Sequence, residues 1–134
     1  MDTISAIYQG SLRTQATHLQ SGNSLITDAP TDNNGQGQAF SPTDLVCAAL
    51  NSCMMTLMGI VAQREAVELE GLTSAVVKIM ASNPRQIAEI QITFTHPRLL
   101  ASEEQRQKLK RAALTCPVAL SLSKSVKQTI VFNW

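Results

Sequence analysis

Leu45 to Gln63 carries no charged residue, and no other stretch constrains the fold as tightly. The run is about as long as a membrane span. It also holds Asn51, Ser52, Thr56 and Gly59, and Asp44 and Arg64 flank it. That polarity, beside an amphipathic remainder, points to a buried helix of a soluble domain. A membrane anchor is the competing reading; it predicts a chain that needs detergent. Ser41 is a good N-cap, Pro42 suits the first helical position, and Asp44 sits where a carboxylate closes a capping box. From Leu45 to about Arg64 the helix is apolar on nearly every side, so it must be wrapped all round. One small sheet covers one side only. The other side asks for a second copy of the chain, which predicts a homodimer.

With 134 residues the chain is expected to form a single domain over 1–134. Hydrophobic residues make up 44% and aromatics 4%, so the core is aliphatic. A net charge of +1 gives no reason to expect nucleic acid or an anionic membrane as a partner. The basic run Arg106 to Arg111 follows Glu103 and Glu104 and reads as a solvated helix face. The N-terminus has neither a basic flank nor an apolar segment of the secretory kind.

The rest of the chain reads as strands and short helices. Ile4 to Gln9, Ser11 to Leu19 and Asn23 to Asp28 form an antiparallel meander punctuated by Gly10 and Gly22. Ala29 to Phe40 is a long loop, expected to be mobile or functional. Leu72 to Ala81 is rich in β-branched residues. Ile87 to Phe94 alternates, with Ala88, Ile90, Ile92 and Phe94 on one face. Ser102 caps a further helix, Cys116-Pro117 opens a short one, and Val126 to Phe132 closes as a strand. The order β-β-β-α-β-β-α-α-β makes the fold α+β, not a doubly wound parallel sheet.

Three cysteines remain: Cys47, Cys53 and Cys116. An odd number without a signal segment fits a reducing cytoplasm. No Cys-x-x-Cys pair exists, and His18 and His96 are the only histidines, so neither a metal nor another cofactor is expected. Cys47 and Cys53 share one helix, about 9 Å apart in rise and roughly 120° apart in direction. They cannot bond, since a disulfide needs Cα atoms within about 7 Å. Cys47 reads as a small buried hydrophobe. Cys53, in mid-helix, gains nothing from a helix end and needs a nearby cation to be reactive. Cys116 precedes a proline and falls at an N-cap, where free N–H groups favour thiolate. On the residues alone, packing and redox roles both stay open for it.

"FSPTDLVCAALNSCMMTLMGIVAQR" and "CPVALSL" together resemble the OsmC/Ohr family: a proline-started central helix carrying a reactive cysteine, and a partner cysteine before proline. "TDAPTDNNGQGQAFSPTDL" is similar to the loop-to-helix entry of the OsmC-like branch. The resemblance implies an intertwined homodimer around two long buried central helices. It implies thiol-dependent reduction of organic hydroperoxides, with an external dithiol as reductant. By motif, Cys53 matches the peroxidatic cysteine and Cys116 the resolving one. Arg13, in "SLRTQ", is the best match to the family's activating arginine. Peroxidase members carry a glutamate after the helix-starting proline to hold that arginine. Here Thr43 follows Pro42, and Asp44 is the expected substitute. His18 is read as structural or substrate-adjacent. The competing function is a non-enzymatic binder, a dimer that holds a small lipophilic molecule at its interface.

Overall fold

The computed structural model describes residues 1–134. Its elements follow the expected order: β1 (Ile4–Gly10), β2 (Arg13–His18), β3 (Ser24–Asp28), α1 (Pro42–Arg64), β4 (Thr73–Ala81), β5 (Gln86–Thr95), α2 (Glu103–Leu114), α3 (Pro117–Ser121) and β6 (Lys127–Asn133). The architecture is α+β with two three-stranded sheets. The chain divides into two compact units, Met1–Val46 and Cys47–Trp134. The helix α1 begins in the first and ends in the second.

In the first unit β1, β2 and β3 form an antiparallel meander. The turn from β1 to β2 is tighter than the sequence indicates. Ser11 and Leu12 leave the strand and take φ of 53° and 62°, the left-handed pair that matches the twist of a two-residue hairpin. Arg13 pairs across β2–β3 with Asp28, and Thr14 with Thr27. The loop that follows is folded on itself. The Gly35 N–H donates to Pro30 O at 2.9 Å and the Gly37 N–H to Ala29 O at 3.2 Å. A Cβ at Gly35 would fall 1.6 Å from Ala29 O, so only glycine permits this approach. At the start of α1 the Ser41 N–H donates to Asp44 Oδ2 at 3.0 Å and the Asp44 N–H to Ser41 Oγ at 3.1 Å. This is a capping box with aspartate at its third position.

In the second unit the apolar core collects Leu50, Met54 and Met58 of α1, Ile90, Ile92 and Phe94 of β5, and Leu109 of α2. Burying side chains of this size contributes about 1.5–3 kcal/mol each. β4 and β5 are antiparallel, while β6 lies parallel to β5. A parallel neighbour needs a crossover, and α2 and α3 supply it. Phe94 and Phe132, register partners on β5 and β6, stack with centroids 5.6 Å apart. Ser102 caps α2 through a full capping box with Gln105. Lys108 Nζ meets Glu65 Oε1 at 3.1 Å and ties α2 to the chain leaving α1.

Only one side of α1 is covered within the chain. Ala49, Ser52, Thr56, Ile60 and Gln63 form an exposed stripe at helical spacing. The helix is long and apolar enough to cross a membrane, and 33% of its most apolar window is buried. The all-round burial that its sequence demands is therefore not met by one chain.

Candidate redox site

Cys53 lies at the middle of α1 and is half-buried; Cys116 is the N-cap of α3 and fully buried. Several bonds fix Cys116. The Thr115 N–H donates to Arg111 O at 3.1 Å and the Cys116 N–H to Ala113 O at 3.3 Å, which ends α2. Pro117, at the first position of α3, holds Cys116 extended with φ −67° and ψ 154°. Gln128 of β6 donates to Ala119 O at 3.1 Å and anchors α3 to the sheet. This places the Cys116 thiol near enough to Cys53 for the two groups to influence each other's charge. All three cysteines are free thiols. Cys47 is buried in α1, as a packing residue would be.

The electrostatics of Cys116 differ from the sequence expectation. Burial pushes its thiol up, and the neighbouring Cys53 adds to the rise. The Ala119 and Val118 N–H groups pull the other way but do not prevail. Desolvation thus outweighs the helix N-terminus, and Cys116 stays a thiol at neutral pH.

Arg13 and Asp28 form the second cluster. Arg13 Nε donates to Asp28 Oδ1 at 2.7 Å and Nη2 to Oδ2 at 2.8 Å. The Gln38 N–H reaches Asp28 Oδ2 at 3.0 Å, and Gln38 Oε1 accepts from Arg13 Nη2 at 3.0 Å. The Asp28 side chain is 1% exposed and that of Arg13 26%. The Arg13 bond holds the Asp28 carboxyl below its usual range, against desolvation and with help from the Gln38 N–H. Asp28 likewise raises the Arg13 pKa. The carboxylate on Arg13 is therefore Asp28, which motif reasoning passed over. Its signal was the hairpin register, which sets Asp28 opposite Arg13. Asp44 spends Oδ2 on the Ser41 N–H. His18 Nδ1 bonds Ser21 Oγ at 2.6 Å in the β2–β3 turn, a structural place. No group of His, Cys, Asp and Glu gathers to hold a metal ion.

A two-sheet α+β fold with a cysteine on its long helix and a second thiol against it defines a class of protein, and comparison gives its family. The profile of the OsmC-like protein family matches residues 35–131, both cysteines included. The chain belongs to that family. A crystal structure from Psychrobacter arcticus, of a protein assigned to osmotic stress induction and detoxification response, is 44% identical. It superposes with a TM-score of 0.94 over 99% of this chain and 96% of that one. An OsmC-like protein from Mycoplasma pneumoniae is 17% identical, with a TM-score of 0.79 over 97% and 94% of the two chains. The organic hydroperoxide resistance protein OsmC of Legionella pneumophila, described as a predicted redox protein, is also 17% identical. Its TM-score is 0.73 over 100% and 98%. Among curated proteins none matches the chain.

Proposed function

We propose that the protein is a thiol-dependent peroxidase that reduces organic hydroperoxides through Cys53 and Cys116. The observation that carries this reading is the nearness of the two thiols, close enough for Cys53 to raise the Cys116 pKa, which no local feature of the sequence requires. Cys53, the more accessible of the two, attacks as thiolate. It bonds the terminal oxygen of R–O–O–H, the O–O bond breaks, and the departing alkoxide takes a proton to become R–OH. Cys53 is left as a sulfenic acid, oxidised by two electrons. The Cys116 sulfur then attacks the Cys53 sulfur. The S–S bond forms, and the sulfenic oxygen leaves with the Cys116 proton as water. An external dithiol returns both thiols by two exchanges. A Cys116 held as a thiol suits the second step, because its proton is needed for the departing oxygen. By resemblance to the family Arg13 is the activating arginine, and Asp44 acts by fixing the start of the helix that carries Cys53.

The working unit is a homodimer. What supports this is bare apolar surface: Ile60 on α1 is 47% exposed, and Ile4, Ile7 and Tyr8 on β1 are exposed by 59% to 63%. A second copy is the occupant that the all-round apolar helix calls for.

Thiol titration before and after one equivalent of cumene hydroperoxide tests the reading. The expected result is loss of two thiols per chain, none in Cys53→Ser. Cys116→Ser should stop at a sulfenic acid that dimedone traps. A folded protein that keeps all its thiols overturns the peroxidase and leaves the binder of lipophilic molecules.

A further inference from the structure

On β6, Gln128, Ile130 and Phe132 are the register partners of Ile90, Ile92 and Phe94 of β5, and those three are fully buried. Register partners share a face of the sheet, so Gln128 takes a place on the apolar side. A polar head there needs a hydrogen-bond partner. It has one, since Nε2 donates to Ala119 O at 3.1 Å. That carbonyl is in turn left over by its own helix. α3 ends at Ser121 and Leu122 is extended, so the next turn, which would supply a donor to Ala119 O, does not form. Strand and helix each bring one orphan group, and the two satisfy each other.

Cys116 travels with what this bond holds. It is the N-cap of α3, and its carbonyl accepts the Leu120 N–H at 3.0 Å. The turn from Cys116 to Leu120 therefore moves as one piece. α3 is a five-residue helix, too short to keep its place by helix formation alone. Cys53 stands on firmer ground, in a helix of 23 residues whose Leu50 and Met54 are fully buried. Of the two sulfurs, Cys116 has the support that can give way.

We propose that Gln128 is a positioning residue for Cys116: its amide docks α3 on β6 and so sets how often the Cys116 sulfur stands within reach of Cys53. The assignment rests on the Cys53 and Cys116 pair proposed above and deepens it. Joining two thiols in one chain is governed by their effective concentration, and a docked α3 keeps it high. Glutathione buffers read that quantity without any hydroperoxide. Glutathione disulfide accepts two electrons and two protons from the Cys53 and Cys116 thiols, leaving one protein disulfide and two glutathione thiols. Peptide mass spectrometry then counts the Cys53–Cys116 disulfide at each ratio.

Gln128→Met keeps the length of the side chain and loses the donor. Its effective concentration should fall about fivefold, the worth of one net hydrogen bond. Gln128→Glu keeps the shape and makes the donor depend on pH. As a carboxylate it only accepts, so it opposes Ala119 O; as a carboxylic acid its O–H donates. With each point referred to the wild type at the same pH, the Gln128→Glu deficit should shrink as pH falls through the carboxyl range, while that of Gln128→Met stays constant. A side chain that served the fold alone would show no such divergence. A Gln128→Met protein with native circular dichroism and a wild-type equilibrium overturns the proposal. So does a Gln128→Glu deficit that acid leaves unchanged, which also covers the case in which Gln128→Met fails to fold. A wild type in which glutathione disulfide never joins Cys53 to Cys116 sinks the redox pair itself, and the role of Gln128 with it.

Discussion

In residues 1–46 the buried side chains are Thr27, Asp28 and Ser41, all polar; in residues 47–134 they are Leu50, Met54, Ile92, Phe94 and their like, with His96 the one polar member. The two regions are held by different forces. The second has an aliphatic core, and its helices and sheet gain stability from apolar area removed from water. The first has strand ladders, a polar clamp and a folded loop, while Ile4, Ile7, Tyr8, Leu25 and Ile26 stay exposed. A three-stranded sheet needs a buried apolar face to be stable in water. The first region therefore depends on cover from outside itself, and the clamp gives it order without giving it a core.

The sharpest way to break this comparison is at Phe94, which is fully buried beside Phe132. Phe94→Ala should cost about 3–5 kcal/mol in urea unfolding. A loss below about 1 kcal/mol would mean that the second region has no real core. The next effect is expected at Ile7, 62% exposed on β1. Ile7→Glu should leave secondary structure unchanged and weaken self-association about tenfold or more, read by analytical ultracentrifugation. An unchanged dimer, or a wild type that is monomeric at high concentration, would show that the β1 surface is not covered by a second copy.

The smallest effect is electrostatic. Asp28 has a carboxyl pKa depressed in the folded state, so its pairing stabilises the fold above the ordinary carboxylate value of about 3.9. That contribution is lost as pH falls through the depressed value. Protection factors of β2 and β3 amides should therefore drop between pH 5 and acid conditions, and Asp28→Asn should remove the drop. Glu89, in the second region, is held down mainly by the Thr129 hydroxyl and should lose less. Equal loss in β5 and β6 would erase the distinction between the two regions. Cys116 has the opposite sign. Its raised pKa gives stability present below the ordinary thiol value and lost as pH rises through the folded one.

Local physics made much of this protein legible from its residues. Ser41-Pro42 with Asp44 announces the start of α1 because an N-cap, a preset φ and a first-turn carboxylate act within one turn. Ser102 does the same for α2, and Cys116-Pro117 for α3. The alternation from Ala88 to Phe94 gives the buried face of β5, since side chains of a strand point alternately to either side. The apolar run of α1 marks it as a core helix, and its Leu50, Met54 and Met58 are fully buried. Three things only the tertiary structure decided: the parallel direction of β6, the meeting of Cys53 with a thiol roughly sixty positions away, and the choice of Asp28 to hold Arg13. Each depends on the path the chain takes between distant elements. Spacing along the sequence carries no information about that path once several loops intervene, whereas caps, turns and periodicity are settled by neighbours a few residues apart.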